Sequence, residues 1–173
     1  MKAYKKCKTI YYKENQYTSS GTYTYNITGG LYRINLIGGG GGTGQTDGGT
    51  DKYSDTAYAN HYGNNGADGG MFEGLASLPK GTLKITVGAV GTNRAGKGVA
   101  SGHGGDSYAV FTPENGQAVE IARAKGGHSG YPDGDTYKVA VSGGAVTYNS
   151  SYFVKIYAAT KGVDGTLQWS VKI

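Results

Sequence analysis

An all-β body, sandwich-like or jelly-roll-like and interrupted by glycine-rich excursions, is the fold class that this 173-residue sequence predicts. Three observations predict it. Apolar and polar residues alternate with period two along much of the chain, and no stretch of eleven or more residues shows the three-and-four apolar spacing of a helix. Glycine and proline turn signals separate the alternating runs. The 33 glycines are clustered, and five are consecutive, Gly38 to Gly42.

The elements follow in chain order. Tyr23, Tyr25 and Ile27 share one face; Gly29-Gly30 supplies the positive φ angles of a tight turn, and Tyr32, Ile34 and Leu36 return. This predicts a β-hairpin that feeds directly into Gly38–Gly42. Leu83, Ile85 and Val87 follow a turn at Pro79-Lys80-Gly81. Tyr108 and Val110 precede a second turn at Pro113-Glu114-Asn115-Gly116, after which Val119 and Ile121 alternate. Tyr137, Val139, Val141 and then Tyr152, Val154, Ile156 read as two more strands, and Leu167, Trp169, Val171, Ile173 as a terminal one. Short strands joined by such turns pack as a sandwich or jelly roll.

Aliphatic residues are few, but sixteen tyrosines and a net charge of only +5 set the chain apart from disordered sequences. Tyrosine replaces aliphatic bulk in a thin core, its hydroxyl reaching the edge. Lys2, Lys5, Lys6, Lys8 and Lys13 precede every acidic residue and carry the whole net charge. Residues 1–13 therefore read as a basic arm, either a solvated tail or one that docks on an acidic partner or a neighbouring subunit, and 14–173 as one glycine-rich β domain. A neutral body with a basic tail is not the footprint of a nucleic-acid-binding domain. Cys7 is the sole cysteine, which excludes an internal disulfide and a thiolate metal site. The opening MKAYKKCK lacks a following apolar stretch, and no run approaches the length of a membrane span. The expectation is synthesis in the cytoplasm without membrane insertion, any extracellular role coming without a conventional secretion signal.

Twelve glycines fall in 38–70, six in 91–105 and six in 126–144. The blocks alternate with strands, so the excursions are expected to gather at one end or edge of the body. Each block is either a flexible loop or an extended, polyproline-II-like segment bonded side by side with others. Only glycine fits the second arrangement, as at the collagen axis. On that reading Gly38, Gly39, Gly40, Gly41 and Gly42 are structural, and Gly40 and Gly41 tolerate no side chain.

Four pieces occur in a telling order: the hairpin running into Gly38–Gly42, then Pro79 to Gly88 with Gly91, then Gly102-His103-Gly104-Gly105-Asp106-Ser107-Tyr108, then Ala124-Lys125-Gly126-Gly127. Together, over roughly residues 20–130, they resemble the glycine-rich domains of bacteriophage tail-fibre and receptor-binding proteins. The resemblance implies a β scaffold with glycine-rich loops displayed on a virion for host attachment. The chain departs from it in its short glycine runs, interrupted by Asp, Tyr and Asn, and in its C-terminal strand pair.

Chemistry is sparsely signalled. Gly91 to Gly98 matches a phosphate-binding loop at seven of eight positions. Gly98 stands where Ser or Thr must hold magnesium, and no helix can follow. His61, His103 and His128 lie in glycine-rich segments without metal-pair spacing and read as exposed or loop-bracing. Asp47, Asp51, Asp55 and the turn Asp133-Gly134-Asp135 match no twelve-residue calcium loop, which leaves calcium binding open and no cofactor implied. Tyr53, Tyr58 and Tyr62 sit among Asn60, His61, Asn64 and Asn65, a composition that antibody loops use for recognition. The alternative is that these tyrosines pin a loop to the body. The expectation is a non-enzymatic virion protein, a tail-fibre adhesin or capsid-decoration module, binding a host surface glycan or protein through these residues. A homo-oligomer is expected, and a trimer would suit a fibre component. The rival is a structural subunit of an extracellular bacterial fibre or matrix assembled by strand addition.

Overall fold

The computed structural model describes residues 15–43, 66–93, 101–130 and 141–165. These form strands β1 (Gly21–Ile37), β2 (Met71–Val87), β3 (Ser107–Pro113), β4 (Val119–Ala124), β5 (Val146–Tyr148) and β6 (Phe153–Thr160), with one 3-10 turn at Ser150–Tyr152. All pairings are antiparallel, in the order β1-β2-β3-β4-β5, with β6 also on β2. The all-β expectation holds.

The hairpin expectation does not. β1 is a single strand through Gly29-Gly30, and its two halves pair with β2, not with each other: Thr28 lies opposite Lys80 and Gly30 opposite Leu78. Pro79 lacks an N–H, and Gly29 and Gly30 take φ of 94° and 138°, so the paired strands turn a corner here. Pro79-Lys80-Gly81 is the matching corner of β2 and not a turn between separate strands. Geometry requires that corner. A straight strand of 17 residues spans roughly 55 Å. Yet Gly38 donates to the Gly70 carbonyl at 2.9 Å, and a side chain on neighbouring Gly39 would strike the carbonyl of Ala89. Both ends of β2 therefore reach the same segment, and the β1–β2 ribbon is folded double.

Folding the ribbon makes the two layers. One holds 21–28 of β1, 81–87 of β2, β3, β4 and β5; the other holds 30–37 of β1, 71–78 of β2 and β6. Ile27, Leu83, Phe111 and Ile121 from the first layer and Ile34, Leu36, Phe72 and Leu78 from the second join one buried cluster. Phe72 meets Phe153 edge-on at 4.9 Å, and Phe111 meets Tyr152 at 6.1 Å. Tyr25, Tyr32 and Tyr152 pack half-buried against it, with aromatic rings thickening a core short of aliphatic residues. Val141 is buried but is not part of a strand. Tyr137, Val139, the 167–173 run and the 1–13 arm lie outside the described residues.

Candidate functional site

Seven segments leave or enter the sandwich at one end: 38–43, 66–70, 88–93, 101–106, 125–130, 141–145 and 161–165. None is a strand, and none of their glycines has a positive φ. Their hydrogen bonds run to neighbouring segments with a period of three. Gly38 and Gly41 donate to Gly70 and Ala67, whereas Gly39 and Gly42 donate to Gly105 and Gly102. Gly127 and Gly130 donate back to Gly39 and Gly42. Three residues per turn with no internal bonds is polyproline-II geometry. Of the two readings of the glycine blocks, the extended one holds for these segments.

The bonding partners place the segments in two layers. Segments 88–93, 38–43, 66–70 and 161–165 lie in one row; 101–106, 125–130 and 141–145 nest against it. At Gly38, Gly39, Gly41 and Gly42 an added Cβ would overlap a neighbouring carbonyl, of Lys125, Ala89, His128 and Thr92 respectively. Gly40 differs: the nearest atom to an added Cβ is the Ala67 oxygen at 4.0 Å. The expectation that Gly40 tolerates no side chain is corrected, because an added Cβ at Gly40 faces open space.

Side chains close several seams of this lattice. Asp106 Oδ1 accepts from Gly126 N–H at 3.0 Å, and His103 Nδ1 accepts from Ser129 N–H at 2.8 Å. Asp164 Oδ1 accepts from Gly143 N–H at 2.7 Å. Ser107, buried where sheet meets lattice, accepts from Gly88 N–H at 3.0 Å and donates to the Ile37 carbonyl at 2.6 Å. Arg123 binds Asp106 at 2.6 Å, pairs with Glu120 and lies 4.4 Å over the Tyr108 ring. Burial pushes the Asp106 carboxyl up, but the Gly126 N–H and Arg123 outweigh it and hold the group below its ordinary range. The Gly143 N–H and then Lys161 hold Asp164 down likewise.

The lattice also fixes where the remaining chain emerges. At the end away from the sheet, Thr43 N–H donates to Asn93 Oδ1 at 3.0 Å and Gly130 N–H to the Gly42 carbonyl at 2.8 Å. Ser101 Oγ donates to the Gly130 carbonyl at 2.5 Å. Residues 44–65, 94–100 and 131–140 continue from Thr43, Asn93 and Gly130, and 94–100 re-enters at Ser101, all within this bonded group. The gathering expected from sequence is therefore present in the anchors. Tyr53, Tyr58, Asn60, His61, Tyr62, Asn64 and Asn65 lie within 44–65, outside the described residues.

What the described residues can do chemically is limited. The His103 and His128 rings meet at a tilt of 58°, their centroids 4.9 Å apart. His103 spends its Nδ1 lone pair on Ser129, so its proton sits on Nε2, the reverse of a metal ligand that donates through its second nitrogen. Bracing is what the geometry supports for it. No group of three or more potential metal ligands occurs among the described residues. Gly91–Asn93 runs as an extended lattice segment. Sequence reasoning missed the 161–165 segment and the bracing roles of Asp106, Ser107, Asn93 and Asp164. The available signal was glycine at i and i+3, as in Gly162 and Gly165. No family model matches the chain, and no curated protein matches it significantly.

Proposed function

We propose that the chain is a non-enzymatic phage virion protein, an adhesin or decoration module, whose far-end loops bind a host surface glycan or protein. One observation carries the reading: the anchors from which residues 44–65, 94–100 and 131–140 continue are stitched together at one end of the lattice. Recognition loops are commonly held in this way on rigid scaffolds. Within 44–65, tyrosines supply rigid amphipathic contacts and the asparagines supply hydrogen bonds. That block holds Asp47, Asp51 and Asp55 against Lys52, which favours a neutral sugar or protein over an anionic polymer. On this reading the 1–13 arm faces other virion subunits, the protein is displayed extracellularly on the particle, and no nucleic acid is involved.

The test replaces Tyr53, Tyr58 and Tyr62 by alanine and measures binding on an array of neutral and anionic glycans and on surface proteins of candidate hosts. Aromatic anchors cost about 2 kcal/mol or more each on truncation. The expected result is lost binding with melting within a few degrees of the parent. Retained binding would move the site to 94–100 or 131–140; early melting would make these tyrosines core.

The fibre-subunit reading draws on a different observation. Among the described residues β1 pairs only with β2, so its other edge is open along 17 residues that contain no lysine, proline or acid. Such an edge is poorly guarded against strand addition. Sedimentation decides: a closed small oligomer fits the virion protein, and open filaments fit the fibre.

A further inference from the structure

We propose that a cleft beside the ribbon corner, at the end of the sandwich away from the lattice, binds a neutral sugar. The cleft has a volume of about 490 Å³, within the range of roughly 300–1,000 Å³ that small-molecule sites occupy. Strands β1, β2 and β3 build it from two cross-strand rows. Asn26, Thr82 and Thr112 stand opposite one another in the first, and Thr28 stands opposite Lys80 in the second. Side chains directly opposite across antiparallel strands share a face and lie about 5 Å apart. Glu114 completes the second row. Its N–H donates to the Lys80 carbonyl at 3.2 Å, and its carboxylate accepts from the Lys80 ammonium at 2.5 Å. Ile27 and Pro113 add apolar surface to the lining.

The chemistry of these groups selects the ligand. Lys80 and Glu114 neutralise each other, so the lining has no net charge to draw in an anion or a cation. Thr82 Oγ1 donates to Asn26 Oδ1 at 3.3 Å, which leaves the amide N–H donors of Asn26 unspent among the described residues. The hydroxyls of Thr28 and Thr112 make no hydrogen bond among the described residues either. The Glu114 carboxylate keeps spare acceptor sites and the Lys80 ammonium spare protons. Donors and acceptors thus alternate around one small space. A ligand that satisfies them carries closely spaced groups that both donate and accept, as the adjacent hydroxyls of a sugar ring do. The C–H surface of the same ring suits Ile27 and Pro113. A phosphate would face the Glu114 carboxylate, and a purely apolar ligand would leave every polar group of the lining without a partner. The inference rests on this cleft and not on the far-end loops of the proposed function.

The experiment follows amide NMR of isotope-labelled full-length protein while methyl glucoside, methyl galactoside and methyl mannoside are added in turn. Glucuronate, glucosamine and glycerol serve as comparators. The expected result is saturable shifts clustered at Asn26, Thr28, Thr82 and Thr112 with one or more of the glycosides, and weaker binding of all three comparators. Thr112→Val removes the hydroxyl at nearly constant size and should weaken binding about tenfold. Asn26→Ala, on an exposed strand position, replaces it if the valine variant melts early. The variant with Tyr53, Tyr58 and Tyr62 replaced by alanine should keep the shifts, so failure of the cleft and failure of the far-end loops are read separately. No saturable shift with any glycoside, undiminished binding in a folded Thr112 or Asn26 variant, or equal binding of any comparator would overturn the proposal.

Discussion

A methyl group at Gly41 would have to share space with the His128 carbonyl, whereas one at Gly40 has open space. Two adjacent glycines therefore predict opposite outcomes. Gly41→Ala must separate 38–43 from 125–130 and weaken several hydrogen bonds worth about 1 kcal/mol each. A loss of roughly 2–3 kcal/mol should lower melting by about 4–12 °C in a domain of this size. Gly40→Ala should stay within about 0.5 kcal/mol of the parent. Differential scanning calorimetry on both variants checks the pair; equal melting temperatures would mean the segments are not in contact. Asp106 makes a second prediction at this scale. Its carboxyl is depressed on folding, so it adds stability above the unfolded pKa and loses it as pH falls through the folded value. Asp106→Asn should melt below the parent at pH 7, with the gap closing as pH falls through the folded value of the Asp106 carboxyl. A gap that persists in acid would mean Asp106 acts by shape alone.

At the scale of elements, the corner at Gly29-Gly30 and Pro79 decides whether one ribbon can supply both layers. Gly29 has φ of 94° and sits against the backbone of Pro79 and Lys80, so Gly29→Ala meets strain and a close neighbour together. It should destabilise by more than the roughly 0.4–1 kcal/mol that a glycine-to-alanine change gains where the backbone permits it, read as a lower urea midpoint at unchanged slope. The corner also shows what was legible. Alternation identified the inward faces, Tyr23-Tyr25-Ile27 and Tyr32-Ile34-Leu36, because side-chain period is local. It could not say which strand pairs with which, because a glycine pair serves a hairpin turn and a ribbon corner equally well. Met71–Leu78 escaped notice since Gly74, small to let Phe72 and Phe153 meet, and the small Ala76 blunt the pattern. The lattice was half legible. Runs such as Gly38–Gly42 announce close backbones, but 161–165 carries only Gly162 and Gly165. The acceptors Asp106 and Asp164 look like any exposed acid until the opposing amides are placed.

At the scale of the molecule, sandwich and lattice divide the work. The sandwich holds the apolar core, and the lattice turns its strand ends into a stiff stalk of hydrogen-bonded backbone. If that division is right, the far-end loops are dispensable for folding. Thr43 and Gly66 emerge from neighbouring segments, with Gly41 bonded to the Ala67 carbonyl at 2.8 Å and Thr43 to Asn93 at 3.0 Å. Residues 44–65 can therefore be exchanged for a few glycine and serine residues without moving either anchor. Shortening a connection lowers its closure cost by only about 0.6 kcal/mol per halving, so melting should be unchanged or slightly raised. Binding through Tyr53, Tyr58 and Tyr62 should vanish. Calorimetry and a glycan array on the same excised protein separate the two statements. A folded variant that still binds removes 44–65 from the recognition surface. A variant that no longer folds makes these residues part of the scaffold, and the tyrosines then pin the loop to the body.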